Sequence, residues 1–248
     1  MNLKDKTAIV TGAASGIGKG IAIRLAADGA AVAGFDICLE KAQQTAEAIK
    51  NSGGTAVAIK ADITKYPEVK AAVNDVIARF GLVDILVNCA GGFREFIEFK
   101  DKAEDAWRWA IDLNVNGTFN CIHAVLHHMV ERRYGKIINI ASIAAEVGIK
   151  RLVDYSAAKG AVVSLTRALA MEVGPYNINV NSVAPGAIIV EHNTKMSYEN
   201  KGIYLPRAGG SAADVAAVVA FLASDDAAYV TGANYTVDGG RVLGPRGS

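Results

Sequence analysis

The chain is short of nearly every feature that would tie it to a disulfide scaffold, a membrane or a polyanion. It has 3 cysteines in 248 residues. Cys38, Cys89 and Cys121 are too few, odd in number and too widely spaced for a disulfide framework or a CxxC metal site, which suits a reducing cytosol. With 5 prolines and no serine-rich or charge-block tract, the chain offers no linker at which a second domain could begin. An excess of one charge is missing too. The 26 Lys plus Arg and 25 Asp plus Glu leave a formal net charge of +1, so there is no basic field for nucleic-acid phosphates or an anionic membrane. Mean hydropathy is +0.23, yet the longest uncharged apolar run, Val215 to Ala223, lies between Asp214 and Asp225 and falls well short of the ~18 residues a span needs. Behind Met1 to Lys6 only the short run Thr7 to Val10 follows, too little for a secretory leader. These absences predict a soluble, cytoplasmic globule with one core.

What is present is a rhythm. Short β-branched runs (TAIVTG, AAVAGFD, TAVAIKAD, VDILVNCAG, GKIINIAS, NINVNSVAPG, ANYTVDGG) alternate with helical stretches at Gly18 to Ala27, Leu39 to Lys50, Pro67 to Phe80, Glu104 to Arg132 and Tyr155 to Val173. Several strands are apolar almost throughout, as parallel strands covered on both faces must be. The pattern predicts an α/β fold, a doubly wound parallel sheet of about seven strands with helices on both faces, in a single domain over residues 1–248. The stretch from Ala187 to Gly210 holds His192, Met196, Tyr198, Tyr204 and Pro206 without periodicity and reads as a substrate lid.

The first strand runs through Thr11-Gly12-Ala13-Ala14-Ser15-Gly16-Ile17-Gly18 directly into a helix. Glycine there lets the backbone turn sharply and approach a pyrophosphate, which the helix N-terminus attracts. Glycine triplets also serve as plain turn and packing residues. Counting excludes two rivals: Lys19 is followed by Gly20, so this is no P-loop, and position 13 is Ala, so Ser15 sits on no nucleophile elbow. Asp36 closes the second strand where a carboxylate can accept hydrogen bonds from an adenosine ribose and repel a 2′-phosphate. Neighbouring Ser15 and Ile37 offer no cation, so NAD is expected over NADP; the bland alternative is that Asp36 only caps the next helix.

Tyr155 and Lys159 stand four apart on one helix face, and an ammonium beside a phenol, which titrates near ~10 when free, favours the phenolate. Such pairs are common on surfaces; Ser142, at the end of a strand, makes this one a candidate acid–base site. His123 and His127 share a helical spacing but lack the intervening Glu and a third ligand, so no metal is expected.

In order along the chain, these residues resemble the short-chain dehydrogenase/reductase family in its single-domain branch. TGxxxGxG is Thr11 to Gly18, the acidic-hydrophobic pair is Asp62-Ile63, the NNAG element is Asn88-Cys89-Ala90-Gly91, and the helix asparagine is Asn114. Ser142, the YxxxK element from Tyr155 to Lys159, and Pro185-Gly186 complete the match. Cys89 replaces the usual second Asn, and Val190 stands where a Thr commonly contacts the nicotinamide amide. The resemblance implies a Rossmann fold and a cofactor held by Gly12, Ser15, Gly16, Ile17, Gly18, Asp36, Asp62, Ile63, Asn88, Ala90, Gly91, Pro185, Gly186 and Ile188 together with Tyr155 and Lys159. It implies Tyr155 as general acid/base, Ser142 positioning the substrate oxygen, Lys159 on the nicotinamide ribose, and Asn114 holding a water that links Lys159 to solvent. By analogy, Phe93, Arg94, Ala144, Ala187, His192 and Met196 join Ser142 and Tyr155 around the substrate, and the chain assembles as a homotetramer. The expected function is NAD-dependent interconversion of a hydrophobic secondary alcohol, cyclic or aromatic, and its ketone. The alternatives are a reductase of 3-oxoacyl thioesters on an acyl carrier, against which Asp36 argues because NADP would be expected there, and a non-catalytic NAD-binding protein.

Overall fold

The computed structural model describes residues 1–191, 204, 205, 207 and 209–244. In chain order the elements are β1 (Thr7–Thr11), α1 (Gly16–Ala27), β2 (Ala31–Asp36), α2 (Leu39–Asn51), β3 (Thr55–Lys60), α3 (Tyr66–Phe80) and β4 (Ile85–Asn88). There follow α4 (Glu104–Ile111), α5 (Gly117–Arg132), β5 (Gly135–Ile140), the short α6 (Ala144–Val147), α7 (Val153–Val173) and β6 (Ile178–Pro185). A two-residue pair, β7 (Ile188–Ile189) and β8 (Gly210–Ser211), precedes α8 (Ala212–Ala223) and β9 (Asn234–Val237). The main sheet has 7 parallel strands in the order β3-β2-β1-β4-β5-β6-β9. This is the doubly wound fold expected from the rhythm, with every sequence-derived strand in it.

Successive residues of a strand point to opposite faces, so a strand buried on both sides needs apolar residues at every position. In β1, Ala8 and Val10 join Ile21 and Leu25 of α1 and Val215 and Val219 of α8 in one core, while Ile9 joins Val73 of α3, Val125 of α5 and Val173 of α7 in the other. The apolar run Val215 to Ala223 is thus a covered helix, and no helix among the described residues is long and apolar enough to cross a membrane.

Two details depart from the sequence reading. The helix expected over Glu104 to Arg132 is interrupted by a π turn, Asp112–Asn116, which carries Asn114. Periodicity alone does not register a single widened turn, and such turns concentrate at functional sites. The strand pair β7–β8 was not anticipated, because two-residue strands carry no alternation to read. Most of the stretch read as a lid, including His192, Met196, Tyr198 and Pro206, lies outside the described residues.

The chain reverses its winding direction between β1 and β4, and the crevice beyond their carboxyl ends is where doubly wound sheets bind ligands. There the buried Thr11 hydroxyl accepts hydrogen bonds from the backbone N–H groups of Cys89 and Ala90, both at 3.0 Å, so the two loops flanking the crevice are tied together.

Candidate active site

A cleft of about 1270 Å³ runs along this edge, from Asp36 at one end to Tyr155 and Lys159 at the other. At the Asp36 end the walls are mainly backbone. Gly12 and Gly16 have φ of +71° and +55°, which L side chains rarely adopt, and a Cβ on Gly18 would collide with the Gly12 carbonyl oxygen. Ser15 leaves the N-terminus of α1 without a side-chain cap, and no acidic residue stands in its first turn. Exposed N–H groups and the helix dipole there suit a pyrophosphate. Asp36 accepts hydrogen bonds from the N–H groups of Ala14 (3.1 Å) and Cys38 (2.9 Å), one on each carboxylate oxygen. This fixes the carboxylate over the glycine loop while each oxygen keeps a lone pair for a ribose hydroxyl. These features fit an adenine dinucleotide.

At the other end the walls are side chains. Lys159 is 4% exposed, and its ammonium donates to the Ile140 carbonyl at 2.8 Å, 5.7 Å from the Tyr155 ring centre. Burial pushes the Lys159 pKa down to about 8. Burial likewise pushes the Tyr155 phenol above its ordinary range, and a hydrogen bond with Ser142 pulls it part of the way back. Desolvation is the largest influence on both groups, so the net shift of Tyr155 is upward and that of Lys159 downward. Ser142 Oγ also accepts from the Ala144 N–H at 3.1 Å, which orients the hydroxyl toward the cleft from the end of β5.

The short chain dehydrogenase family matches residues 6–201. The chain belongs to that family. It is 40% identical over 243 residues to the 3-oxoacyl-(acyl-carrier-protein) reductase FabG of Staphylococcus aureus, covering 96% of this chain and 98% of the relative. It is also 40% identical over 247 residues to the (2S)-((R)-hydroxy(phenyl)methyl)succinyl-CoA dehydrogenase subunit BbsD of Thauera aromatica, covering 98% and 99%. Among solved structures, a short-chain type dehydrogenase/reductase from Mycobacterium ulcerans superposes with a TM-score of 0.94 at 34% identity, covering 100% of this chain and 93% of that one. The chain is thus a short-chain dehydrogenase/reductase, an oxidoreductase of the NAD(P)-linked kind acting on a CH–OH group or its ketone.

Most of the residues that the sequence singled out line the cleft of this short-chain dehydrogenase: the loop from Gly12 to Gly18, Asp36, Asp62, Ile63, Ala90, Gly91, Phe93, Ser142, Tyr155, Lys159 and Pro185 to Ile188. Four do not. Asn88 lies beneath the cleft, where its amide donates to Asn139 at 2.8 Å and joins β4 to β5. Ala144 is buried behind Ser142. Arg94 turns outward, stacking on Trp109 at 4.7 Å and meeting Asp105 at 3.4 Å, because an arginine gains more from a carboxylate and a ring face than from an apolar wall. Asn114 acts through the backbone: its amide donates to Gly92 O (2.9 Å) and Ala110 O (2.8 Å), and its oxygen accepts from Gly92 N–H (3.1 Å). Both amide protons are thereby spent, which leaves one lone pair of Oδ1 for the water assigned by resemblance. That oxygen and the Lys159 ammonium converge on Gly91, where a Cβ would lie 2.6 Å and 3.0 Å from them.

The sequence reading missed Phe96, Trp109, Ile149, Leu152 and Arg241, all of which line the cleft. Phe96 packs edge-on against Phe93 (4.8 Å), and Phe93 against Tyr155 (5.4 Å), giving an aromatic wall beside the phenol. Adjacency of Phe96 to Phe93 after the NCAG element was the one available signal. Val190 lines the cleft without a hydroxyl to offer. His123 and His127 diverge, His123 to the Tyr66 hydroxyl (2.9 Å) and His127 to Glu131 (3.1 Å).

Proposed function

We propose that the chain is an NADH-linked oxidoreductase that interconverts 3-oxoacyl and 3-hydroxyacyl thioesters, with Tyr155 as general acid/base. The observation that carries the chemistry is the meeting of Tyr155, Ser142 and Lys159 at one end of a cleft whose other end is Asp36. The thioester follows from the relatives, whose names specify an acyl-carrier and a CoA ester. A 3-hydroxyacyl thioester is itself a secondary alcohol, so this narrows the sequence reading to the class held there as its alternative. Asp36 bears on the nucleotide and not on the acyl group, so the two expectations are compatible.

NAD would be held by the glycine loop at its pyrophosphate, by Asp36 at the adenosine ribose, by Asp62 and Ile63 at the adenine, and by Gly91, Lys159 and Pro185 to Ile188 toward the nicotinamide. When bound, it supplies the hydride acceptor or donor. In the reductive direction the Ser142 hydroxyl donates a hydrogen bond to the substrate carbonyl oxygen and fixes it beside the phenol. Tyr155, which burial keeps protonated at neutral pH, donates its proton as charge develops on that oxygen. The Lys159 ammonium, close by in a buried site, stabilises the phenolate left behind. In oxidation the same groups act in reverse. The aromatic wall of Phe93, Phe96 and Trp109 suits an acyl group bearing a ring. This reading includes a cytoplasmic location and a homotetramer, for which Phe119 on α5 and Val153 and Met171 on α7 supply exposed apolar surface.

The test is steady-state turnover of the purified chain with a 3-oxoacyl-CoA ester or a plain cyclic ketone, each with NADH or NADPH. The expected outcome is NADH preferred by at least about tenfold, with the ester turned over faster than the ketone. Turnover of the ketone alone would remove the thioester, and preference for NADPH would remove the Asp36 role.

A further inference from the structure

Among the described residues, most arginines are neutralised: Arg24, Arg79, Arg94, Arg108, Arg132 and Arg207 each meet a carboxylate. Arg151 does not. It and Lys150 are exposed, make no side-chain hydrogen bond or ion pair among the described residues, and sit between Ile149 and Leu152, both of which line the cleft. The four residues form a tight turn closed by Leu152 N–H donating to Ile149 O at 3.0 Å. Ile149 N–H donates to Ser156 Oγ at 3.1 Å, which ties the turn to the helix turn that bears Tyr155. Arg151 has φ +70°, a conformation that a long side chain rarely adopts and that persists only where its surroundings impose it. The turn therefore holds two free cations at the rim of the substrate end, on a strained and anchored backbone.

We propose that the Lys150–Arg151 turn is the grip for a phosphate on the handle of the thioester substrate. The proposal rests on the thioester reading above. Both coenzyme A and the prosthetic arm of an acyl carrier present a phosphate at the far end of a flexible pantetheine chain from the reacting carbonyl. A planar guanidinium beside an ammonium is suited to such a group, the first as a two-pronged donor and the second as a point charge. The net charge of +1 gives the chain no general affinity for polyanions, so the recognition has to be local.

The test compares acetoacetyl esters of coenzyme A, of 4′-phosphopantetheine and of N-acetylcysteamine, the last carrying no phosphate. The variant is Lys150→Ala/Arg151→Gly, since glycine adopts the positive φ freely and preserves the turn. The expected result is a KM raised by about tenfold for phosphate-bearing esters, with kcat kept and N-acetylcysteamine kinetics unchanged. A rise with both phosphate esters assigns the turn to the phosphopantetheine phosphate; a rise with the coenzyme A ester alone assigns it to the nucleotide phosphates. A control, Lys70→Ala/Arg167→Ala, removes the same charge elsewhere on the surface and leaves all three KM values alone. Unchanged KM values in the turn variant, equal changes across the three esters, or an equal effect of the control overturn the proposal. Failure of the parent protein on every thioester, with ketone turnover intact, sinks the thioester reading itself.

Discussion

At the amino-terminal edge of the sheet, buried Asp84 accepts hydrogen bonds from Thr7 N–H (2.9 Å) and Arg132 (2.7 Å), and buried Lys136 donates to Asn179 (2.8 Å). Asn179 in turn donates to the carbonyls of Ala228 and Val230, and the Tyr134 hydroxyl donates to Asp225. At the carboxyl edge stand a second buried lysine and a second tyrosine, Lys159 and Tyr155. Burial shifts the groups of both clusters the same way, lysines down and tyrosines up. A perturbed pKa therefore does not separate a structural cluster from a reactive one in this chain. Unspent bonding capacity beside a cleft does. Lys136 and Lys159 each spend one of three donors, on Asn179 and Ile140, but Lys159 lines the cleft with its other two unspent, next to Tyr155 and Ser142.

That contrast can be broken at either edge. Asp84→Ala leaves the Arg132 guanidinium without its carboxylate, though still bonded to the Val83 carbonyl, and Thr7 N–H without its acceptor, and should cost about 3 kcal/mol of stability. Denaturant unfolding measures that loss, and kcat per folded molecule should stay level; a drop in kcat with stability intact would make this edge functional. Lys159→Met should do the opposite. A lysine whose pKa falls from 10.5 to about 8 on folding binds its proton less well in the folded state, so its charge opposes folding below about 8. The Met variant should therefore melt higher than the parent at neutral pH, with the difference shrinking as pH rises from about 8 toward 10.5, while turnover collapses. A variant less stable than the parent at neutral pH would show that the lysine is structural. The smallest effect is at the far end of the cleft. Asp36→Ala should lower the preference for NADH over NADPH by about tenfold, read from the ratio of kcat/KM values, with the fold unchanged. An unchanged ratio would leave Asp36 as a turn residue only.

The two ends of the cleft also differ in how far they can be read from sequence. The dinucleotide end is built from backbone, and backbone demands leave a mark: positive φ at Gly12 and Gly16 and close approach at Gly18 and Gly91 each restrict the residue to glycine. The strands themselves were equally legible, because parallel strands buried on both faces must be apolar throughout. The substrate end is built from side chains delivered by separate elements. Phe96, Trp109 and Leu152 meet only after folding, and an aromatic or a leucine in isolation looks like any core residue. Arg94 was placed in the pocket by nearness in sequence, but a neighbouring carboxylate drew it outward. The π turn at Asp112–Asn116 was invisible because one extra residue per turn barely changes the apolar period.

The two half-buried tyrosines, Tyr155 and Tyr134, give the most direct test of the account. Tyr155→Phe and Tyr134→Phe each remove one hydroxyl from a phenol that burial has shifted upward. Turnover of a 3-oxoacyl thioester with NADH should be compared with NADH binding, followed by its fluorescence, in both variants and the parent. Tyr155→Phe is predicted to bind NADH as the parent does and to lose about 10³-fold or more in kcat, while Tyr134→Phe keeps its kcat. Turnover in Tyr155→Phe within about tenfold of the parent, or an equal loss in both variants, would contradict the assignment of acid–base chemistry to the carboxyl edge.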